Sequence, residues 1–239
     1  MAALVFDIET SALPASNLDE ATLEYLFRPA ERESEPELKE KKQREIEQQF
    51  ALWPFTAEVV CIAMLNTESL KGQVLFVADD FEENQAEQSN ISFVPFPDEL
   101  ELLTRFWEIV QHYETIITFN GRAFDVPFLY LRSAHLDIPI SRKDWLGYRF
   151  QTQPHCDLAD QLTFYNVSGR DGAARKFNLD FYCKMFGIDS PKAHGITGFD
   201  VSQFIAEGRY REVAEYCLRD VVATNELYQI WRHRLAAKK

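Results

Sequence analysis

The sequence predicts an α/β protein in which a mixed β-sheet is flanked by α-helices. Three short apolar segments rich in β-forming residues come first, at 2–8, 57–65 and 73–78. A fourth, at 115–119, follows an amphipathic helix, and helical patterns dominate the remainder. Because an antiparallel meander followed by strand–helix crossovers gives a sheet of mixed direction, we expect helices against its faces.

The helices follow from local signals in chain order. Pro97 and Asp98 begin the segment DELELLTRFWEIVQHY, which has apolar residues at 100, 103, 106, 107 and 110. Pro127 is expected to begin the next helix, because the residue before a proline disfavours helical geometry. A short extended piece is expected near 149–156. Further helices are predicted near 157–165, 178–187, 200–207 and 209–235, the last having one long apolar face.

Length and composition fit a single domain over residues 1–239. The chain has 239 residues, of which 46% are apolar, which is enough for a proper core. Two segments look inserted. Residues 14–52 are a charged helical excursion, because ELKEKKQREIEQQF has the spacing of an exposed helix with i,i+4 ion pairs. Residues 79–92 are expected to be a polar loop.

The net charge of −13 argues against a protein that coats nucleic acid electrostatically. The negative excess is concentrated in segments 16–50, 79–90 and 98–114, so the rest of the chain is near neutral. A modest basic rim beside an acidic pocket is therefore expected. Its candidate members are Arg122, Arg132, Arg170, Arg175, Lys176 and Lys192.

The cysteines and the hydropathy pattern predict a cytoplasmic protein. The four cysteines share no CxxC spacing and lie in apolar stretches, as buried free thiols do in a reducing compartment. No apolar run approaches the roughly 18 residues that a membrane span needs.

Four acidic residues and one tyrosine form the candidate site. Asp7 and Glu9 come at the end of the first predicted strand, where alternation places both on one face. Asp125 follows the fourth strand and is expected just before a helix, where the helix dipole keeps it ionised. Tyr216 and Asp220 share one edge of the last helix. Each piece alone also fits an ordinary surface, capping or half-buried residue.

Convergence of the four carboxylates would require cations. At an effective dielectric constant near 20, two carboxylates about 6 Å apart repel each other by roughly 3 kcal/mol. The summed repulsion would exceed what a domain's stability of about 5–15 kcal/mol can absorb. Hard oxygen ligands suit Mg²⁺ or Mn²⁺.

The order of three motifs resembles a known superfamily. DxE at 7–9, NxxxFD at 120–125 and YxxxD at 216–220 are similar to the exonuclease motifs of the DEDD superfamily, in its tyrosine-bearing branch. The segments PFTAEVVCIAM, TFNGRAFDVPFL and HCDLADQL resemble predicted exonucleases related to the proofreading domain of family-B DNA polymerases. The resemblance covers residues 1 to about 235, least well at 14–52.

The resemblance implies a ribonuclease-H-like fold and removal of nucleotides from 3′ ends. Asp7 would bridge two Mg²⁺ or Mn²⁺ ions, Glu9 and Asp220 would complete the first ion's ligands, and Asp125 would hold the second. Tyr216 would orient the attacking water, and Asn120 and Phe124 would shape the site beside the terminal nucleotide.

Other residues are weaker candidates. Arg175 and Lys192 could contact substrate phosphates, although a solvated surface explains them equally well. Residues 155–157 (HCD) do not face one way and so do not predict a metal triad; Asp157 and Asp160 are expected to cap and start a helix.

Three functions remain open from the sequence. The first is a metal-dependent 3′–5′ exonuclease acting on single-stranded DNA or short RNA. The second is a nuclease-derived adaptor module that no longer cuts and binds a protein partner through its charged excursion. The third is an endonuclease on the same fold, which would leave the YxxxD pair unexplained.

Overall fold

The computed structural model describes residues 3–78, 90–165, 174–190, 198 and 200–237. Its centre is a six-stranded sheet in the order β4-β3-β2-β1-β5-β6. The strands are β1 (Leu4–Ala12), β2 (Ala57–Asn66), β3 (Gly72–Val77), β4 (Ile91–Phe96), β5 (Ile116–Thr118) and β6 (His155–Asp157). The β1–β2 and β2–β3 pairs are antiparallel, whereas β3–β4, β1–β5 and β5–β6 are parallel. The predicted mixed sheet is confirmed.

Helices flank this sheet, as predicted. Those in the described part of the chain are α1 (Glu20–Glu31), α2 (Pro36–Gln49), α3 (Glu99–Val110), α4 (Asp125–His135), α5 (Leu158–Leu162), α6 (Leu179–Phe186), α7 (Val201–Ala206) and α8 (Tyr210–Arg234). Asp98 caps α3 by accepting a hydrogen bond from the Glu101 N–H at 2.9 Å, which confirms the predicted start.

Two apolar clusters cover the two faces of the sheet. Phe6 and Ile8 of β1 pack in the cluster that includes apolar residues of α3 and α4. Val5 packs in the other cluster, which includes apolar residues of α6, α7 and α8. Because side chains alternate along a strand, Asp7 and Glu9 follow Val5 and face α8. The sheet therefore presents the DxE pair to the helix that carries Tyr216 and Asp220.

The excursion at 14–52 is a helical hairpin rather than the single helix that the charge pattern predicts. α1 precedes the predicted helix, now α2, and the short 3₁₀ segment Phe50–Leu52 leads back to β2. Ala30, Ile46 and Phe50 form a small buried cluster, against which Phe27 and Trp53 pack. α1 was not predicted, and Ala30 is the one residue within it that is buried.

Three strand boundaries differ from the sequence expectations. β1 continues to Ala12, so Asp7 and Glu9 lie in its middle and not at its end. Residues 91 and 92, expected in a polar loop, begin β4, while residues 79–89 lie outside the described part of the chain. β4 is an edge strand, where Pro95 is tolerated because one side of the strand needs no partner. The expected extended piece at 149–156 is shorter and is displaced to β6.

Two further expectations were wrong. α4 begins at Asp125 and not at Pro127, because the first helical N–H groups have no partner within the helix and a proline in this first turn costs nothing. Arg132 does not belong to a basic rim. Its side chain is buried and paired with Glu99.

Candidate active site

β1 positions the first two carboxylates. Asp7 and Glu9 lie opposite Ala63 and Cys61 of β2 in antiparallel register. Glu9 is buried and Asp7 is half-buried. The Cys217 Sγ on α8 donates to the Asp7 carbonyl oxygen at 3.4 Å, which joins the last helix to this strand. The predicted common face of Asp7 and Glu9 is present in the structure.

Asp125 reaches the same strand from the start of α4. Its Oδ1 accepts a hydrogen bond from the Ile8 N–H at 3.2 Å, so this carboxylate lies beside the backbone between Asp7 and Glu9. Asp125 is buried, with 3% of its surface exposed. Burial raises its pKa to about 7, although hydrogen bonds from backbone N–H groups oppose the shift. Burial of Asp125 therefore opposes the ionisation that the helix terminus is expected to favour.

The turn before Asp125 is held by a fifth acid. The Asp157 carboxylate accepts from the N–H groups of Asn120 at 2.8 Å, Arg122 at 2.9 Å and Ala159 at 3.0 Å. Asn120 has a left-handed φ of 68°, and a Cβ on Gly121 would lie 2.4 Å from the Thr118 Oγ1. The NG pair is needed for this tight turn. Asp157 thus positions the turn and also caps α5, as the sequence predicts.

α8 supplies Tyr216 and Asp220, one helical turn apart. Tyr216 is 5% exposed and Asp220 is half-buried. Burial raises the pKa of the Tyr216 phenol well above its ordinary value, and Glu9, Asp220 and Asp7 raise it further in that order. The raised pKa favours the protonated phenol, which can donate a hydrogen bond.

Repulsion among the acids adds to the effect of burial on their pKa values. Burial raises the pKa of Asp7 well above its usual value, and repulsion from Asp125, Asp220 and Glu9 adds to the shift. Burial likewise raises the pKa of Glu9, followed by repulsion from Asp220 and Asp125. Within the described ranges, no Lys, Arg or His forms an ion pair with Asp7, Glu9 or Asp125. In the described part of the chain, these three carboxylates therefore have no paired cation to balance their negative charge.

The family resemblance implies divalent cations, and the donor atoms at the site decide whether such ions fit. Ligand atoms of Asp7, Glu9 and Cys217 lie within 4.8 Å of one another, and Asp125 and Asp220 do not belong to that set. Burial raises the pKa of the Cys217 thiol well above its usual value, so the thiol stays protonated and is a poor ligand for a hard cation. The carboxylate oxygens fit Mg²⁺ or Mn²⁺.

The predicted substrate contacts lie in different environments. The Asn120 Oδ1 accepts from the Lys176 Nζ at 2.5 Å, so a basic side chain stands at the predicted motif. The Phe124 ring packs 5.6 Å from that of Phe128. Arg175 is exposed, with its guanidinium 5.4 Å from the centre of the Phe177 ring. Lys192 lies outside the described residues.

Two residues of this site were not predicted from the sequence. Cys217 has the pattern of an apolar helix position, yet its thiol contacts the Asp7 carbonyl oxygen of β1. Asp157 was predicted as a cap but also holds the turn at 120–122, because the pairing of β5 with β6 is not visible in one sequence. His155 is buried beside the Thr118 hydroxyl, 2.7 Å away, and forms no metal triad.

A family model described as "Predicted 3'-5' exonuclease related to the exonuclease domain of PolB" matches residues 54–237. The chain belongs to this family. The resemblance inferred from the motifs is thereby confirmed. The α1–α2 hairpin precedes the matched residues.

The chain is also similar to part of two archaeal DNA polymerases. DNA polymerase 1 of Saccharolobus solfataricus is 30% identical over 180 residues, which are 71% of this chain and 20% of that protein. DNA polymerase 1 of Sulfolobus acidocaldarius is 26% identical over 180 residues, 71% of this chain and 19% of that protein. The chain thus spans about a fifth of the length of these relatives.

A solved structure supports the fold. The family B DNA polymerase from the hyperthermophilic archaeon Pyrobaculum calidifontis aligns with a TM-score of 0.55 and 20% identity. The alignment covers 96% of this chain and 24% of that polymerase. The ribonuclease-H-like α/β fold expected from the resemblance is confirmed. Separately, the helices of the described part are all too short or too polar to cross a membrane.

Proposed function

We propose that this protein is a metal-dependent 3′–5′ exonuclease that hydrolyses phosphodiester bonds at the 3′ end of single-stranded DNA or short RNA. The observation that carries the proposal is that Asp125 of α4 accepts a hydrogen bond from the Ile8 N–H, between Asp7 and Glu9 of β1, while repulsion from Asp220 of α8 raises the pKa of both carboxyls. The family match supports an exonuclease, and the unbalanced negative charge supports cations as its partners.

Asp7, Glu9 and Asp220 would hold one Mg²⁺ or Mn²⁺ ion, and Asp7 and Asp125 a second. Bound ions of this kind lower the pKa of water and stabilise the charge on a leaving 3′ oxygen. The protein's own part is to fix the ligands. Asp125 is held by the Ile8 N–H, and the β1 backbone sets the spacing of Asp7 and Glu9.

Tyr216 would orient the attacking water. Its protonated phenol donates a hydrogen bond that aligns the water oxygen with phosphorus, while the water's proton leaves through solvent or a neighbouring carboxylate. The P–O bond to the 3′ oxygen then breaks, and that oxygen takes a proton to become the new 3′ hydroxyl. One nucleoside monophosphate is released per turnover.

Asn120 and Phe124 lie at the turn that leads into Asp125, where they would contact the terminal nucleotide. Arg175 and Lys192 remain candidate phosphate contacts, and Lys176 joins them because it reaches Asn120.

The deciding experiment uses 5′-labelled single strands of DNA and of RNA with Mg²⁺ or Mn²⁺. We expect a ladder that shortens from the 3′ end, with mononucleotide products and no activity after chelation. Internal fragments would instead indicate an endonuclease. Activity that persists in both Asp7→Ala and Asp220→Ala would refute the proposal.

A further inference from the structure

A second feature with binding character lies on the excursion, outside the residues that the family model matches. A cavity of about 480 Å³ is formed between α1 and the residue that follows the 3₁₀ segment Phe50–Leu52. We call it the α1 groove. Its lining residues are Tyr25, Leu26, Arg28, Pro29, Arg32 and Trp53.

The charge of the α1 groove is opposite to that of the chain. Arg28 and Arg32 line it, and no acidic side chain does, in a protein of net charge −13. Both arginines are exposed, and neither forms an ion pair with a carboxylate of the described residues. Planar guanidinium groups bind phosphates in two-pronged geometry. The groove is thus suited to an anion.

The neighbouring face of α2 shows that this is not a general property of the excursion. A cavity there is lined by Glu37, Glu40 and Glu45 as well as by Lys41 and Arg44. Arg44 contacts Glu40 at 3.2 Å, so its charge is balanced locally. The two surfaces belong to one helical hairpin but differ in the charge that they offer to a ligand.

Aromatic rings complete the α1 groove. Tyr25 is 66% exposed, and the Arg28 guanidinium lies 5.5 Å from the centre of its ring. Trp53 is half-buried on the other wall. Bases stack on exposed rings without regard to sequence, and positive groups beside the rings follow the backbone. Phosphate-binding and base-stacking groups together favour a polynucleotide strand over an acidic peptide.

Hydrogen bonds fix the α1 groove relative to the carboxylates. The Thr10 hydroxyl, next to Glu9, donates to the Ala51 carbonyl oxygen at 2.6 Å. The Thr56 hydroxyl donates to the Phe50 carbonyl oxygen at 2.7 Å. Trp53 therefore stands on a segment joined directly to the strand that carries Asp7 and Glu9.

We propose that the α1 groove binds a single-stranded polynucleotide upstream of the 3′ nucleotide, through Arg28 and Arg32 on phosphates and Tyr25 and Trp53 on bases. This inference rests on the proposed function for the position of the 3′ end. It adds a binding site that lies outside the residues matched by the family model.

The test compares Arg28→Gln/Arg32→Gln with Lys41→Gln/Arg44→Gln, which removes the same charge from α2. Binding of fluorescent homopolymers of about 20 nucleotides, (dT) and (U), is measured by anisotropy in Mg²⁺ over a range of salt, with phosphorothioate linkages protecting the 3′ end. The groove variant should weaken binding about tenfold and reduce the salt slope by about 1.4, since each phosphate contact on a single strand contributes about 0.7. The α2 variant should change both the affinity and the salt slope by less than half as much as the groove variant does.

Tyr25→Ala separates stacking from charge. It should weaken binding about tenfold with an unchanged salt slope. Hydrolysis of an unprotected strand of about 20 nucleotides should fall in Arg28→Gln/Arg32→Gln and in Tyr25→Ala, and should be unchanged in Lys41→Gln/Arg44→Gln.

Equal losses in the groove and α2 variants would overturn the proposal, because general electrostatics would then explain binding. Wild-type affinity in Arg28→Gln/Arg32→Gln would also overturn the proposal. The groove would then be a candidate site for a protein partner and not for a nucleic acid. A chain that binds the protected strands through the groove but cuts no unprotected strand would refute the proposed exonuclease and leave the groove intact.

Discussion

Buried carboxylates occur on both sides of the central sheet, and the protein treats them in opposite ways. On one side, Glu99 of α3 accepts hydrogen bonds from the Val59 N–H at 2.7 Å and from the Arg132 Nε at 3.0 Å. Arg132 also donates to the Pro54 carbonyl oxygen at 3.1 Å. On the other side, Asp7 and Glu9 face further acids, and no described basic side chain pairs with them.

The difference shows what each set is for. The Glu99–Arg132 pair ties α3 and α4 to the residues that enter β2, and its charges are balanced within the protein. Among the described residues, Asp7, Glu9 and Asp125 have no such basic partner, and we propose that bound cations balance their charge. Removing Arg132 should therefore lower the free energy of unfolding. Removing one of the carboxylates around Asp7 should leave the free energy of unfolding unchanged or raise it.

The largest expected effect comes from Asp7→Ala. Loss of the ligand shared by both proposed ions should lower exonuclease activity by about 10³-fold or more, which corresponds to about 4 kcal/mol of transition-state stabilisation. The metal-free variant should unfold at the same temperature as the wild type or at a higher one, because a repulsive buried charge is gone. Activity on labelled strands and thermal unfolding in chelator check the two parts; a fall in both would place Asp7 with the structural carboxylates.

Arg132→Met should have the opposite profile. Leaving Glu99 buried without its cation should cost about 3–5 kcal/mol of folding free energy. For a chain of this size that corresponds to a lower melting temperature by roughly 6–20 °C. Activity per folded molecule should be unchanged, since the pair lies across the sheet from the acids. The double variant Glu99→Gln/Arg132→Met is the control and should recover most of the loss; an equally unstable double variant would show that packing, and not charge, is responsible.

The acidic site on one face of the sheet could be predicted from the sequence, whereas the ion pair on the other face could not. Period-two spacing placed Asp7 and Glu9 on one face, and helical spacing placed Tyr216 beside Asp220. Order of motifs, through the family resemblance, joined them to Asp125. The Glu99–Arg132 pair was missed because its residues are 33 positions apart and an arginine is usually exposed. β4 was missed because a polar segment precedes it and Pro95 interrupts its pattern.

The roles of the four acids and Tyr216 stay predictions, because position alone does not show catalysis.

The start of α4 was misplaced for a physical reason. A residue before proline disfavours helical geometry but can adopt it. Val126 is helical here, and its N–H donates a hydrogen bond to the Gly121 carbonyl oxygen at 2.9 Å.

Stability of the metal-free protein should fall as the pH rises from about 5 to about 8. The folded state raises the pKa of Asp125 from 3.8 to about 7 and raises those of Asp7 and Glu9 in the same direction. The folded state therefore binds more protons than the unfolded state across this window, so the free energy of unfolding decreases with pH. Thermal unfolding in chelator measures the slope, which Asp125→Asn should reduce.

Mn²⁺ should reverse that loss. At about 100 times its dissociation constant, a bound ion adds about 2.7 kcal/mol, or roughly 5–10 °C in melting temperature. The gain should be greater at about pH 8 than at about pH 5, because protonated carboxylates bind cations poorly. A melting temperature that rises with pH in chelator, or an equal Mn²⁺ effect at both pH values, would contradict the unbalanced-charge account.

The smallest expected effect is that of Tyr216→Phe, and it separates ligands from the group that orients water. Loss of the hydroxyl should lower kcat about tenfold to a hundredfold with little change in KM, because a positioned donor is lost while the carboxylates remain. Stabilisation by Mn²⁺ should equal that of the wild type, whereas Asp220→Asn should reduce it. Since the phenol stays protonated in the folded protein, the pH dependence of the remaining activity should match that of the wild type. If the pH profile loses its rising limb in Tyr216→Phe, the phenol acts as a base. The active protein would then have to lower the pKa of the phenol, whereas burial raises it in this structure.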